Sequence, residues 1–211
     1  DVRRLFRVGG PILGIHALKI ASFELVDLDL IQYAAQHCSR IILSTGMADL
    51  SEIEEAIRAA GAASEITVMH CVSKYPTPVE QADLERIRYL SARSWQFGDR
   101  PRSIRLGYSD HTTSTLIPAI AVAMGARVIE KHFRPEWYTT TGPDFARYPG
   151  LDGDFSLGPM QFTEMVRNIR DTEAAMARST VEEMRDLRRS LYVVTDIAKG
   201  EVFTPQHVRS I

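Results

Sequence analysis

The feature that most constrains the fold is a strict alternation of five β-forming runs with five runs of helical periodicity. The pattern predicts strands at residues 16–22, 40–47, 66–73, 103–111 and 127–133, and helices at residues 27–37, 51–60, 83–92, 113–124 and 159–177. Such alternation is typical of α/β proteins with parallel strands, arranged either as an open sheet or as a barrel. The charged residues 178–188 are predicted to continue the last helix, and residues 190–211 predict a separate β-rich segment that begins with a strand.

The clearest helical pattern lies at residues 51–60. Ser51 and Glu54 have the spacing of a capping box, which predicts that the helix begins at Ser51. Ile53 and Ile57 lie on one apolar stripe, and Gly61 follows where we expect the helix to end.

The composition excludes several classes of protein. Of 211 residues, 45% are hydrophobic and 25% are charged, with a formal net charge of −2. These values fit a globular domain with a core and give no sign of a nucleic acid or membrane partner. The longest apolar run, residues 116–126, is too short to cross a bilayer. The two cysteines, Cys38 and Cys71, suit a reducing compartment, so we expect a cytoplasmic protein.

The beginning of the chain carries its own expectation. The first residue is Asp1 rather than methionine, and no signal-peptide pattern follows it. We therefore expect these residues to be part of a longer chain.

Polar side chains stand at the carboxyl end of each predicted strand, which is where ligand sites lie in barrels and in open α/β sheets. These residues are Ser22, Ser44, Ser73, Ser109, His111 and His132. No G-x-G-x-x-G motif follows any strand, which disfavours a dinucleotide site.

Two of these strand ends, GYSDHT (107–112) and IEKHF (129–133), carry one histidine each. Residues two apart in a strand share a face, so each histidine lies beside a polar residue, Ser109 or Glu130. Two imidazoles with open positions suit Mn²⁺, Co²⁺ or Zn²⁺, whereas Mg²⁺ prefers an all-oxygen shell. Either histidine alone is more often a hydrogen-bonded structural residue.

The four strand-end serines and Lys19 form a second candidate site. Hydroxyls with one ammonium group suit a phosphate, especially beside the backbone N–H groups of a glycine turn such as residues 45–46. Serines are also common wherever strands turn into loops, so the phosphate interpretation depends on the four acting together. Lys19 could instead form a Schiff base, as in class I aldolases, and Cys71 is interpreted as a small packing residue.

Four carboxylates lie near the strand ends: Glu24, Asp110, Glu130 and Asp152. Any of them could act as a general base or bind the hydroxyl groups of a polyol. The alternative for each is a helix N-cap or a solvated surface charge.

Five segments together resemble the sialic acid synthase family, which includes N-acetylneuraminate, legionaminic acid and pseudaminic acid synthases. They are KIASFE (19–24), ILSTGMADLSEIEEA (42–56), HCVSKYPTP (70–78), GYSDHT (107–112) and IEKHF (129–133). The order and spacing of these segments agree with the family across residues 17–177.

The resemblance implies a TIM barrel, of which residues 1–180 would supply strands four to eight. Residues 181–190 would be a linker, and residues 191–211 would begin the small antifreeze-like (SAF) domain of the family. The family also implies a homodimer that exchanges these domains. An open half-barrel exposes strand edges, so we expect the chain alone to be inactive.

The resemblance also implies roles by position. The positions that hold the phosphate of phosphoenolpyruvate are Lys19, Ser22, Ser44, Ser73 and Ser109. The metal positions are His111 and His132, for a divalent cation expected to be Mn²⁺, with Mg²⁺ or Co²⁺ as the other candidates. The positions around an N-acetylated amino sugar are Glu24, Tyr75 and Asp152, and Glu130 would lie near the reacting carbons.

One aspartate depends on an alignment choice. The family motif GPD-x-x-FSL could match Asp144 or Asp152, and only Asp152 keeps the spacing to the FSL at residues 155–157. Leu151 then replaces the family proline, and residues 134–149 form a longer loop than usual.

The reaction that the resemblance implies is a condensation. C3 of phosphoenolpyruvate attacks the aldehyde carbon of an open-chain N-acetylated hexosamine, water adds at C2, and phosphate leaves with C–O cleavage. The alternatives are another aldolase-type or phosphoenolpyruvate-using sugar synthase on the same barrel, or a truncated, inactive homologue.

Overall fold

The computed structural model describes residues 16–93, 95, 104–135, 152–177 and 189–210. The chain divides into two compact units, Asp1–Ala174 and Ala175–Ile211. The helix predicted at residues 178–188, most of the linker predicted at residues 181–190, and Asp144 lie outside the described residues. In the described parts of the chain, none of the helices has the length and apolar character needed to cross a membrane.

Strands and helices alternate along the first unit as the sequence predicts. In chain order they are β1 (Ala17–Ile20), α1 (Leu28–His37), β2 (Arg40–Ser44), α2 (Leu50–Ala59), β3 (Glu65–Cys71), α3 (Glu85–Ser91), β4 (Ile104–Asp110), α4 (Ile117–Ala123), β5 (Val128–Lys131) and α5 (Pro159–Met176). Single 3₁₀ turns occur at Ser22–Glu24, Ala60–Ala62, Val79–Gln81 and Gly153–Phe155.

The five strands form one parallel sheet in the order β1-β2-β3-β4-β5. Each strand pairs with the next strand in sequence, and the order never reverses. An open doubly wound sheet contains a switch point, whereas a barrel wall continues in one direction. Side chains of the two edge strands also meet, because Lys19 Nζ lies 3.3 Å from Glu130 Oε1. The sheet is therefore curled into a half-barrel, with these two side chains on its concave face.

The two faces of the sheet differ in chemistry. Residues such as Ile41, Leu43 and Val68 point to the convex face and are fully buried under the helices. The apolar stripe predicted for α2 joins this core, because Ile53 and Ile57 are also fully buried. The concave face carries the alternate residues of each strand, and these become polar toward the carboxyl ends. The core therefore lies between sheet and helices, and the polar groups collect on the opposite face.

The start predicted for α2 is wrong by one residue, and the capping box predicted from Ser51 and Glu54 is wrong. The N-cap is Asp49, whose side chain accepts a hydrogen bond from the backbone N–H of Glu52 at 2.9 Å. The Glu52 carboxylate accepts the backbone N–H of Asp49 at 2.9 Å in return. An aspartate also forms this reciprocal pair, and it lies two residues before the serine that the sequence pattern favoured.

Helix α4 begins at Ile117, four residues after the predicted start. The hydroxyl of Thr112 accepts the backbone N–H of Ser114, and the hydroxyl of Ser114 accepts that of Leu116. Such local side-chain bonds offer the backbone an alternative to helical pairing, which delays the helix.

The second unit contains a short antiparallel pair. Strands β6 (Leu191–Val193) and β7 (Val208–Ser210) pair in register, with Tyr192 opposite Arg209. Gly200 lies between them at a positive φ of 93°, a conformation that suits glycine in a turn. The strand predicted at the start of residues 190–211 is therefore present, and the assignment to an SAF domain stays a prediction.

Candidate active site

A row of hydrogen-bonded side chains crosses the concave face at the carboxyl ends of the strands. The carboxylate of Glu130 accepts a hydrogen bond from the hydroxyl of Ser109 at 2.7 Å and forms the ion pair with Lys19. The Ser109 hydroxyl also lies 3.3 Å from Nε2 of His111. The structure therefore brings together residues from β1, β4 and β5, and the shared face predicted for Ser109 and His111 is confirmed.

His111 is held in one tautomer by the backbone that directly follows β3. Its Nδ1 lies 2.8 Å from the carbonyl oxygen of Val72, which can only accept, so Nδ1 carries the proton. Nε2 then presents a lone pair to the concave face. Burial lowers the pKa of His111, against the smaller raising effect of the Val72 hydrogen bond. The imidazole is therefore neutral near pH 7, which is the form that binds metals.

His132 faces His111 across the end of the β4–β5 pair. Their ring centroids are 5.6 Å apart, with an interplanar angle of 60°. The Nδ1 of His132 lies 3.4 Å from the carboxylate of Asp152, the residue directly before the 3₁₀ turn Gly153–Phe155. The structure therefore places Asp152 beside one histidine, while Asp144 lies outside the described residues.

Aromatic rings form one wall of this histidine pair. Tyr75 stacks on His111 with centroids 4.1 Å apart, and Phe155 lies 4.7 Å from His132 and 5.2 Å from Tyr75. The predictions included Tyr75 but missed Phe155 as a member of the site. The signal for Phe155 was its place in the FSL segment, where it follows Asp152 by three residues.

A small polar cradle lies around Gly46, beside this row. The Gly46 backbone N–H donates to the Ser22 hydroxyl at 3.1 Å, and that hydroxyl lies 3.1 Å from the Cys71 sulfur. A Cβ atom at position 46 would lie 2.3 Å from Ser73 Oγ and 2.8 Å from the Cys71 sulfur. Glycine is therefore required here by the close approach of three side chains.

Two serines of the cradle region have unused hydrogen-bonding capacity. The hydroxyl oxygens of Ser44 and Ser73 are buried and make no hydrogen bond to the described residues. Buried polar groups are almost always paired, so such groups at a strand end point to a ligand or water that completes them. With Lys19 nearby, an anion fits this donor set. Burial raises the pKa of the Cys71 thiol, which fits its interpretation as a neutral packing residue.

Two other carboxylates do not join the row. Glu24 is exposed in the 3₁₀ turn after β1, and its side chain has no hydrogen bond or ion pair within the described residues. Asp110 is fully buried and forms an ion pair with Lys131, whose side chain is also buried, at 2.6 Å. The sequence interpretation considered Asp110 as a general base or a cap, and it missed Lys131. The available signal was strand alternation, since Lys131 lies between two residues that face the concave side.

The histidine pair has the chemistry of a partial metal site. Two imidazoles face one another, and the hydrogen bond that Nδ1 of His111 donates to the Val72 carbonyl fixes the orientation of that ring, as is usual for metal-binding histidines. Within the described ranges, no group of three or more histidine, cysteine or acidic side chains could hold a metal ion. A cation bound here would have two protein ligands from this chain and positions open to water or substrate.

Known proteins are similar to this chain over most of its length. Residues 11–181 match the NeuB family. The pseudaminic acid synthase of Helicobacter pylori is 37% identical over 202 residues, covering 92% of this chain and 54% of that protein. The N,N'-diacetyllegionaminic acid synthase of Campylobacter jejuni is 35% identical over 203 residues, covering 91% and 56%. The chain thus spans about half the length of these relatives.

Solved structures agree with the curved sheet and its helices. The crystal structure of N-acetylneuraminic acid synthetase from Leptospira borgpetersenii superposes with a TM-score of 0.67 at 29% identity. The superposition covers 82% of this chain and 57% of that chain. The resemblance read from the motifs is confirmed, and the chain belongs to the NeuB family.

Proposed function

We propose that the protein containing this chain is a synthase that condenses phosphoenolpyruvate with an N-acetylated hexosamine to a nonulosonic acid and releases phosphate. One observation carries the proposal: Lys19 and the cradle, where the buried Ser44 and Ser73 hydroxyls have no partner among the described residues, lie on the same concave face as two facing imidazoles. The first group suits a phosphate, and the second suits a cation that binds a carbonyl oxygen. The relatives named as pseudaminic and legionaminic acid synthases support the class of product.

The phosphate of phosphoenolpyruvate fits the cradle by charge and by hydrogen bonding. Lys19 supplies an ammonium group, and the hydroxyls of Ser44 and Ser73 have no partner among the described residues. Ser22 and Ser109 lie in the same region, and their hydroxyls can turn from their present partners toward the anion. Charge-assisted hydrogen bonds of this kind are about twice as strong as neutral ones.

The histidine pair would hold a divalent cation, with Mn²⁺ as the first candidate and Mg²⁺ or Co²⁺ as the others. When bound, such a cation supplies Lewis-acid polarisation of an aldehyde oxygen. His111 contributes Nε2, because Nδ1 is committed to the Val72 carbonyl. His132 and the Asp152 carboxylate stand beside it, and the rings of Tyr75 and Phe155 contact the two imidazoles.

In this proposal the carboxylates transfer a proton and bind the sugar. Glu130 lies between Lys19 and Ser109, at the centre of the row, and is placed to receive a proton near the reacting carbons. Asp152, beside His132, and Glu24, exposed in the turn after β1, would bind hydroxyl or amide groups of the sugar. C3 of phosphoenolpyruvate forms a bond to the aldehyde carbon, water adds at C2, and the C2–O bond to phosphate breaks.

The remaining architecture is also proposed from the family. The half-barrel would be strands four to eight of a TIM barrel, and β6 and β7 would open the SAF domain of a domain-swapped dimer in the cytoplasm. In such a dimer each site would use groups that this chain does not supply. We therefore expect residues 1–211 expressed alone to be inactive.

Phosphate release tests the proposal directly. The full-length protein is supplied with phosphoenolpyruvate, Mn²⁺ and, in turn, N-acetylmannosamine, its 6-phosphate and 2,4-diacetamido sugars. We expect phosphate release with one of them, loss of activity with EDTA, and a drop in kcat of about 100-fold or more in His111→Ala and His132→Ala. The exposed His16→Ala variant serves as the matched control. Activity that survives EDTA, or no release with any of these sugars, would contradict the proposal.

A further inference from the structure

The ion pair between Asp110 and Lys131 occupies a particular place in the sheet. The two residues are register partners, and they form the last pair of the β4–β5 ladder. Each is followed directly by a histidine of the candidate site, His111 or His132. Backbone pairing between the two strands stops at this point. The distance between the two histidines therefore depends on the interactions that hold Asp110 and Lys131 in place.

The pair is enclosed, and both of its side chains are hydrogen-bonded to the turn after β4. The side chain of Asp110 is 0% exposed and that of Lys131 is 1% exposed. One carboxylate oxygen of Asp110 accepts from the Tyr108 hydroxyl and the Thr112 N–H, and the other accepts from the Thr112 hydroxyl and Lys131. The Lys131 ammonium also donates to the carbonyl oxygen of Thr112. This network therefore ties the turn after β4 to the end of β5.

We propose that Asp110 and Lys131 are positioning residues that set the separation and orientation of His111 and His132 from the opposite face of the sheet. Side chains alternate along a strand, so the pair acts on the helix side while the histidines face the concave side. A buried ion pair is often no better for stability than an apolar replacement, so stability alone does not explain it. The inference rests on the proposed cation site, because the role of the ion pair is to position the two histidines that would bind the cation.

The test replaces the pair by a neutral one. In the full-length protein, Asp110→Asn with Lys131→Met keeps an acceptor for the Thr112 N–H and fills the volume of the lysine stem. Single substitutions would leave one buried charge unpaired and could prevent folding. We expect the double variant to melt within about 4 °C of the parent. Its Kd for Mn²⁺ should rise about 10- to 100-fold, and the visible absorption of the Co²⁺ form should change.

A matched control lies at the other end of the sheet. Arg40 and Glu65 are also register partners on adjacent strands, joined at 2.7 Å, but they are at the amino ends and partly exposed. Arg40→Gln with Glu65→Gln should leave the Mn²⁺ Kd and the Co²⁺ spectrum unchanged. A folded Asp110→Asn, Lys131→Met variant with the parental Kd and spectrum would overturn the positioning role.

Hydrogen exchange separates this inference from the proposed function. If the parent binds no Mn²⁺ or Co²⁺, the cation part of the proposed function fails. The positioning role is then tested by the hydrogen exchange of the amides in residues 107–112 and 129–133. Faster exchange confined to these segments in the double variant would support positioning of the strand ends. Unchanged exchange there would overturn it.

Discussion

Lys19 Nζ lies 3.3 Å from Glu130 Oε1, although the two residues belong to the opposite edge strands of a five-stranded sheet. In a flat sheet, strands 4.7–4.9 Å apart would separate these side chains by about 19 Å. The contact therefore requires the sheet to curl so that its edges approach across the concave face. That curvature brings the lysine of β1 to Glu130 of β5, whose carboxylate also accepts the Ser109 hydroxyl of β4.

Lys19 provides the first prediction. Lys19→Gln keeps a group that can hydrogen-bond to Glu130 but removes the positive charge from the cradle. Because a hydrogen bond to a charged group contributes about 1.5–3 kcal/mol, we expect the KM for phosphoenolpyruvate to rise about 10- to 100-fold. Steady-state kinetics with each substrate varied in turn measures this effect, and the KM for the sugar should change much less.

The same lysine distinguishes the proposed synthase from a Schiff-base aldolase. A Schiff base requires a neutral amine, whereas Lys19 is paired with the carboxylate of Glu130. We expect no covalent adduct after incubation with pyruvate and borohydride. A mass increase located at Lys19 would refute the anion-binding role.

Gly46 provides a second prediction, with a second glycine as its control. In Gly46→Ala the new Cβ would lie 2.3 Å from Ser73 Oγ and 3.0 Å from Ser22 Oγ, so these hydroxyls must turn out of the cradle. Losing even one such hydrogen bond to an anion weakens binding about tenfold or more. Calorimetry with phosphoenolpyruvate or inorganic phosphate measures the loss. In Gly61→Ala the Cβ meets nothing within 4 Å, so binding should be unchanged. Equal affinity in both variants would mean that the anion binds elsewhere.

His70 provides a prediction about stability and pH. It is buried, with Nε2 3.0 Å from the carbonyl oxygen of Ala82, three residues before α3. Burial lowers its pKa, and the Ala82 hydrogen bond opposes this with a smaller effect. The unfolded chain therefore binds a proton more readily than the folded chain. The stabilisation is complete above the unfolded pKa of about 6.5 and is lost as the pH falls from there through the lowered folded pKa.

Thermal unfolding between pH 8 and pH 5 tests this sign. Each additional proton bound by the unfolded chain lowers the free energy of unfolding by about 1.4 kcal/mol per pH unit. His70→Gln keeps a donor for Ala82 without a titrating group, so it should flatten the decline between pH 6.5 and pH 5. His111, whose pKa burial also lowers, would leave a residual slope. If the pH profile of His70→Gln is as steep as those of the parent and of the exposed His16→Gln control, His70 contributes nothing to the pH dependence of stability.

Individual residues show which structural features the local sequence pattern predicted. Alternation predicted that Ser109 and His111 share a face, and the 3.3 Å contact between them confirms it. The same rule implied that Asp110 and Lys131 face the other side, but nothing local indicated that they pair there at 2.6 Å. The capping box was placed two residues late because Ser51 and Asp49 both fit a cap pattern. The hydrophobic periodicity also did not indicate that local hydroxyl hydrogen bonds at residues 112–116 would delay the start of α4.

The sequence by itself determined the order of strands and helices, the face on which each strand residue lies, and the row of polar residues at the carboxyl ends. These follow from periods of two and 3.6 residues, which are local properties of the chain. Only the tertiary structure decided that Lys19 meets Glu130, that His132 faces His111, and that the Ser44 and Ser73 hydroxyls have no partner among the described residues. Those relationships depend on the curvature of the sheet and on where its ladders end. Both arise from packing between residues distant in sequence, which no local period encodes.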